Sequence, residues 1–512
     1  MIRLDAILAH AARADPHRTA VVFGGLTWTY AEVVDRARRL ASALASLGVG
    51  AGDRVAFWSP NRAEFVEFLF GVPMLGAIAV PMDHWWRTGE ASAALELCRP
   101  KVLIAAGPQT QLLAGLGPDL RSNGVAHRLA LDEPPDADWS SYERLLSVAS
   151  PIRGPLTASL DDPALVLFTS GSTGRSKGAV HSHRDLAHTA LTMALELGLR
   201  EGERTLHFLP LFSSCLEHLI PLTLMRATHV ILPDFDAGRV WEEMEAQRIT
   251  HFDAVPTALR RLLDAAAPTL PPSLRLMSYA SEPMPAPLIN AWIERAPSVA
   301  FVQFYGMIEH LCFTVQKPWE QVPKIGTVGK PMLGTELRLL TPDGAAPRRG
   351  EAGEVFARSP TQMLGYWQDP AATAQVVQDG WMRTGDLGHL DGDGYLVLEG
   401  RLKEVIKSGG MTVVAREVEE TLLRHPSVRE AAVVGVPDER WGEAAHAFVT
   451  LTPGANMGAR ELQTYCRGRL AGYKCPKGFH VVQELPRTGI GKIARQELRE
   501  LASRADGAGP TA

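Results

Sequence analysis

The chain has 512 residues, 46% of them hydrophobic, and a formal net charge of −5. That supplies a large core and roughly three units of ordinary domain size, and the lack of a basic excess argues against nucleic acid as a partner. Cys98, Cys215, Cys312, Cys466 and Cys475 are scattered and form no C-x-x-C pair, which argues against a disulfide framework or zinc site and for a reducing, cytoplasmic compartment.

In chain order, the segment from Met1 to Pro16 is interrupted by Asp5, His10 and Arg13 and reads as an amphipathic helix, not a secretion signal. No run of 18 apolar residues occurs, so no membrane span is expected. The pattern predicts a helix over 4–14, then a hairpin, 20–23 and 26–29, around Gly24-Gly25. A long helix over 30–47 ends at Gly48 and Gly50. A strand over 53–58, a helix over 63–75 and strands over 102–106 and 128–131 follow. Strand and helix alternate to residue 300, the signature of parallel α/β layers.

From Thr335 the texture changes to short strands, 336–340, 353–357 and 395–398, a small β-rich unit. After Gly400 come a helix over 417–424, strands over 431–436 and 446–451, a helix over 461–470 and a strand over 479–482. The expected fold class is therefore α/β: a large N-terminal domain of layered α/β subdomains with a small β-rich unit, and a small mobile α+β C-terminal domain. The boundaries are 1–400 for the body, 401–403 for a hinge, 404–502 for a lid and 503–512 for a flexible tail.

The stretch that organises the rest is LFTSGSTGRSKGAVHSH, 167–183. Gly171, Gly174 and Gly178 let the backbone approach an anion closely. The hydroxyls of Thr169, Ser170, Ser172 and Thr173 can donate to phosphate oxygens, and Lys177 adds a mobile charge. A Walker loop needs Gly before the Lys and Ser or Thr after it; here Ser176 and Gly178 flank Lys177, so that pattern fails on both sides.

The decapeptide TSGSTGRSKG resembles the phosphate loop of the adenylate-forming superfamily: acyl-CoA synthetases, carrier-loading adenylation domains and beetle luciferases. Five further segments resemble that superfamily in the right order. SYASEPMP, 278–285, is similar to its adenine loop, which implies nucleotide contacts for Ser281, Glu282 and Pro283. QFYGMIE, 303–309, is similar to its YGxTE motif. Tyr305 and Gly306 would face adenine, and Glu309 would hold Mg²⁺, as a hard oxygen ligand beside phosphates does. Ile308 stands where Thr is usual.

TGDLG, 384–388, is similar to the ribose motif, with Asp386 on the ribose hydroxyls. GRLKEVIKSGGMTVVAREVEE, 400–420, implies Arg401 near ribose and phosphate, a pivot at Lys403, and passage of a pantetheine arm by Ser408, Gly409 and Gly410; Ala415 replaces the usual Pro. PRTGIGKIAR, 486–495, implies a catalytic Lys492 that meets developing charge in the closed state, alongside Lys177 and Glu309.

The resemblance also implies an acyl pocket of Phe212, Val255, Phe304, Gly306 and Met307, with Ser213 where His is frequent. Asp253 lies nearby and keeps an amino or hydroxy acid possible; the balance favours a non-amino carboxylic acid. The implied activity is ATP- and Mg²⁺-dependent activation of a carboxylic acid as acyl-AMP, then transfer to a thiol. The thiol is CoA or, alternatively, an acyl or peptidyl carrier protein. A nucleotide-binding protein with degenerate catalysis is the remaining reading. Monomer and homodimer are both open.

Overall fold

The computed structural model describes residues 3–114, 119–153, 158–169, 176–265, 269–282, 284–408, 411–438, 440–487 and 493–507. The N-terminal helix, Leu4–Ala14, buries Leu4, Ile7, Leu8 and Ala11, one helical face. The second helix, Tyr30–Ser46, starts where Thr29 and Glu32 exchange side-chain and backbone hydrogen bonds, a capping box that satisfies two otherwise orphan donors. A third, His183–Glu196, starts the same way at Ser182 and Asp185.

Two large sheets organise the first compact unit, residues 1–337 and 357–382. In the nine-stranded sheet the inner strands run in parallel in the order Ala300–Met307, Leu276–Tyr279, His251–Ala254, Arg204–His207, Thr228–Ile231 and Thr19–Phe23. Antiparallel hairpins close both ends: Thr19–Phe23 with Leu26–Thr29, and Ala300–Met307 with His310–Gln316. In the eight-stranded sheet Pro163–Thr169, Ile78–Pro81, Arg54–Trp58, Val102–Ala105 and His127–Ala130 are parallel. Lys177–Ser182 and Gly365–Tyr366 continue it antiparallel. One core, with Leu4, Leu40, Phe68, Leu186 and Phe304, covers facing helices and strands; a second, with Phe252, Trp292 and Tyr279, fills the other face of the nine-stranded sheet.

The second compact unit comprises residues 338–356 and 383–512. One sheet in it runs Met411–Val414, Val405–Ser408, Gly442–Leu451, Val428–Asp438, with Gly478–Val481 parallel to Gly442–Leu451, and another pairs Trp381–Leu390 with Leu396–Arg401. The compact division therefore takes in the hairpin of 383–401 ahead of the expected 401–403 hinge. The strands over 428–438 and 442–451 are also longer than the apolar runs 431–436 and 446–451 suggested, because ladder pairing carries polar residues such as Glu430 and Glu443 along. The last helix, Arg495–Gly507, reaches into the expected tail because Leu498 and Ala502 are buried one turn apart. All five cysteines are buried and free. No helix among the described residues is long and apolar enough to cross a membrane.

Candidate functional site

The strands Pro163–Thr169 and Lys177–Ser182 pair antiparallel, and their last ladder pair is Thr169 with Lys177. The Gly/Ser/Thr loop thus springs from a hairpin whose stem is fixed. Ser170, Gly171, Ser172, Thr173 and Gly174 lie outside the described residues. Glycine is required at 178: a Cβ there would stand 2.7 Å from Val166 Cγ1.

Glu309 sits at the turn between Ala300–Met307 and His310–Gln316. It is 7% exposed, and the Tyr366 hydroxyl donates to its Oε1 at 2.7 Å. The Tyr366 ring carries Lys177 Nζ 4.9 Å from its centroid. A cation and a carboxylate therefore meet at one aromatic residue. Tyr366 is placed by backbone pairing: Tyr366 opposes Ala179, Leu364 N–H donates to Val180 O at 2.8 Å, and Met363 N–H donates to Glu309 O at 2.9 Å. Burial, followed by the Glu309 charge, pushes the Tyr366 hydroxyl far above its ordinary range. It is a neutral donor.

The turn has a second clamp. His181 is fully buried; its Nδ1 is 3.0 Å from Asp185 Oδ1 and its Nε2 is 2.9 Å from the Ile308 carbonyl. Both partners are acceptors, so both ring nitrogens carry protons and the ring is an imidazolium. Burial opposes that charge, but Asp185 overrides it and holds the pKa above the ordinary value. The Asp185 Oδ2 also accepts from Ser182 N at 2.7 Å and Ser182 Oγ at 2.9 Å. The helix cap and the turn clamp are thus one network.

Gly306 is held by a close approach: a Cβ there would lie 2.4 Å from Cys312 N, inside the neighbouring strand. Tyr305 is half-buried, its ring 5.2 Å from Phe313. Ser281 has φ +73°, a left-handed conformation that strains a non-glycine residue, and Glu282 Oε2 accepts from Thr257 Oγ1 at 3.0 Å. Pro283 lies outside the described residues.

The expected acyl-pocket residues divide among different surroundings. Phe304, 5% exposed, belongs to the main core with the His218 ring 5.7 Å away. Val255 packs beside the second core, and Met307 beside Ala179, Met363 and Tyr366. Phe212 meets His84 and Trp85 edge-on at 5.9 and 6.2 Å. Immediately after Phe212 and Ser213 the backbone forms a π-helical turn, Cys215–Leu219, a rare element often found at functional sites.

In the second unit Asp386 and Arg401 face each other across the antiparallel pair Trp381–Leu390 and Leu396–Arg401, with Nε 2.8 Å from Oδ1. Asp386 is 5% exposed, whereas the Arg401 side chain is 57% exposed. The Thr384 hydroxyl donates to Val355 O at 2.8 Å and accepts from Asp386 N at 2.9 Å, which fixes the turn. Lys403 lies in the 3-10 turn Leu402–Glu404, and Ser408 is buried at the end of Val405–Ser408. Gly409, Gly410 and Lys492 lie outside the described residues.

Sequence reasoning missed Tyr366 and His181. The signal for His181 was its spacing of four from Asp185 after the Lys177 strand; Tyr366 gave none, because pairing with Ala179, far away in sequence, places it.

One carboxylate with a free oxygen suits Mg²⁺, which takes few protein ligands and completes its shell from phosphates and water. Glu309 meets this: among the described residues Tyr366 alone bonds its carboxylate, leaving Oε2 open. No cluster of three His, Cys, Asp or Glu suited to a metal occurs among the described residues.

Residues 8–367 match the AMP-binding enzyme family and 417–492 its C-terminal domain. A feruloyl-CoA synthase from an Amycolatopsis species is 39% identical over 95% of this chain and 96% of its own. An indoleacetate–CoA ligase from Aromatoleum aromaticum is 35% identical over 96% and 97%. The crystal structure of an anthranilate CoA ligase in complex with anthranoyl-AMP superposes with a TM-score of 0.90 at 31% identity, covering 99% and 98%. The chain belongs to the AMP-binding enzymes of the adenylate-forming superfamily and, within them, to the acid–CoA ligases that work through an acyl-adenylate.

Proposed function

We propose that this ligase activates a carboxylic acid lacking an α-ammonium group, using the residues described above in the following roles. The cluster of Lys177, Tyr366 and Glu309 at the stem of the phosphate loop carries this reading: it brings a cation and a carboxylate together where a polyphosphate would be held. Lys177 and the loop of 169–174 bind the phosphates. Glu309 holds Mg²⁺, with Tyr366 fixing the carboxylate so that one oxygen stays available. A bound divalent ion neutralises phosphate charge and so eases approach of the anionic carboxylate.

Tyr305, Gly306 and the loop of 281–283 flank the adenine, and Asp386 accepts from the ribose hydroxyls. Lys492 meets negative charge as it grows on the α-phosphoryl oxygens, which lowers the barrier selectively. The acid's carboxylate oxygen attacks α-phosphorus and pyrophosphate leaves. The CoA thiol then attacks the acyl carbon and AMP leaves, after the C-terminal domain turns about Lys403. Ser408, Gly409 and Gly410 line the thiol's path. Phe212, Val255, Phe304, Gly306 and Met307 contribute to the acid's surroundings.

The test is pyrophosphate release with ATP, Mg²⁺ and a panel of carboxylic acids, followed by thioester formation on adding CoA. Acid-dependent release followed by CoA thioester supports the reading. Folded protein that releases none with any acid overturns it.

A further inference from the structure

The nine-stranded sheet carries a second polar constellation, separate from the nucleotide cluster. His251, Asp253, Ser278 and Phe304 lie on three adjacent parallel strands, with Asp253 opposite Ser278 in register. The adjacent Phe252, Met277 and Tyr279 point into the second core, so His251, Asp253 and Ser278 face the other way, towards the π-helical turn that carries His218.

Every proton in this group can be placed. Thr205 Oγ1 is 3.3 Å from His251 Nδ1, His251 Nε2 is 3.0 Å from Ser278 Oγ, and the Ser278 hydroxyl donates to Asp253 Oδ1 at 3.0 Å. Burial drives the His251 pKa well below its ordinary value, so the ring is neutral and has a single N–H. Thr205 therefore donates to Nδ1, Nε2 donates to Ser278, and Ser278 donates to Asp253. His218 Nε2 adds a second contact with the same oxygen, at 3.2 Å. The chain of hydrogen bonds runs one way and ends on Asp253 Oδ1.

Asp253 Oδ2 has no partner among the described residues, and the side chain is 13% exposed. It stands at the carboxyl end of its strand, two residues before Val255, where ligands bind in open parallel sheets. His218, held against the same carboxylate, packs its ring 5.7 Å from Phe304. An acceptor oxygen thus opens beside apolar and aromatic surface. Burial disfavours a charge on His218, and Asp253 opposes that effect and raises the His218 pKa. With His218 Nε2 and the Ser278 hydroxyl both held against Oδ1, Oδ2 is the acceptor left for a donor on a ligand.

We propose that Asp253 Oδ2 receives the hydrogen bond of a hydroxyl group on the acyl part of the substrate, which makes Asp253 the specificity-determining residue and the substrate a hydroxylated carboxylic acid. This assignment rests on the ligase reading above and narrows its substrate class.

The experiment compares kcat/KM for matched acids, aryl and straight-chain, bearing hydrogen, hydroxyl, methoxy or amino groups at each position. Wild-type protein is expected to favour one hydroxylated acid over its unsubstituted parent by about tenfold or more, the scale of a hydrogen bond to a charged acceptor. In Asp253→Asn the carbonyl oxygen must face Ser278 and His218, which turns the amide NH₂ to the open side. The acceptor becomes a donor. The preference should then pass to the methoxy acid: the ratio of kcat/KM for the hydroxylated acid over its parent falls by about tenfold, and that for the methoxy acid over its parent rises.

Equal use of hydroxylated and parent acids by wild type overturns the assignment, and so does a preference for the amino acids of the panel. So does a variant that loses activity on all acids alike while its melting temperature is unchanged. If the variant does not fold, the wild-type ratios decide alone. No pyrophosphate with any acid removes the ligase reading and this assignment together; release without discrimination removes only this assignment.

Discussion

The Glu309 turn and the Asp386–Arg401 pair are both carboxylate sites expected to hold parts of one nucleotide, yet they are built differently. Glu309 is buried and fixed from three sides: by Tyr366 on its side chain, by Met363 on its carbonyl, and by the His181 imidazolium one residue earlier. Asp386 is buried too, but its cation, Arg401, is mostly in solvent. The first arrangement over-determines geometry, as electrostatic preorganisation requires. In the second, a buried carboxylate is paired with a cation whose side chain is more than half in solvent, which weakens their attraction through screening.

This contrast is sharpest under substitution. Lys492→Ala should show the largest effect: adenylate formation falls by about 10²–10³-fold, the usual consequence of removing a transition-state contact. Transfer of preformed acyl-adenylate to CoA should stay within a few-fold. Equal loss in both half-reactions would refute the role. Glu309→Gln should fall by a similar factor in the first step, with a higher Mg²⁺ requirement; an unchanged Mg²⁺ titration would count against the metal assignment.

Tyr366→Phe separates positioning from packing. It removes one hydroxyl and keeps the ring under Lys177. Calorimetry should show ATP binding weakened by about tenfold in the presence of Mg²⁺ and hardly at all without it, on the scale of one hydrogen bond to a charged group. Equal weakening in both conditions would mean that Tyr366 acts only through packing. At the other site, Arg401→Ala should change the melting temperature by a few degrees at most and weaken ATP binding a few-fold, in keeping with a cation more than half in solvent. A large drop in melting temperature would show that the pair holds the hairpin together.

The layered α/β body was legible because its helices and strands carry strong local periodicity. Leu4–Ala14 and the strand over 26–29 were read to the residue, and the helix at Tyr30 to within one. The second unit's limits were less visible. The stretch of 338–356 joins it through long-range contacts that no local pattern announces. The same holds at the sites. Lys177 and Glu309 were found because short motifs surround them, and Asp386 with Arg401 because each has its own. Tyr366 was not, since its position follows from the pairing of Gly365 with Val180 and of Tyr366 with Ala179 across the sheet. The Asp253 network was half seen: the carboxylate stood out in sequence, but its two partners, Ser278 and His218, come from two other elements.

Two kinds of buried histidine offer the last test of the comparison, through pH. His181 is charged when folded and its pKa is raised, so its contribution is complete below the ordinary histidine value near 6.5 and fades as pH rises through its folded value. His207, His229, His251 and His310 are buried neutral. Burial lowers all four, His229 and His310 to about 3 and the other two well below the ordinary value. Their contribution is present above about 6.5 and is lost as pH falls, by up to about 1.4 kcal/mol per unit for each ring. Glu67 and Asp83, raised by burial to about 7 and about 6, lose stability in the opposite direction as pH rises. The histidine effect is therefore read as a difference from wild type. His229→Gln should flatten the fall in urea midpoint between about pH 6.5 and 5, whereas His181→Asn should lower the midpoint most in that same acidic range and converge on wild type as pH rises. Parallel pH profiles for His229→Gln and wild type would show that the ring is not held neutral. A His181→Asn profile that diverges from wild type towards high pH would show that the turn beside Glu309 is clamped by a neutral ring.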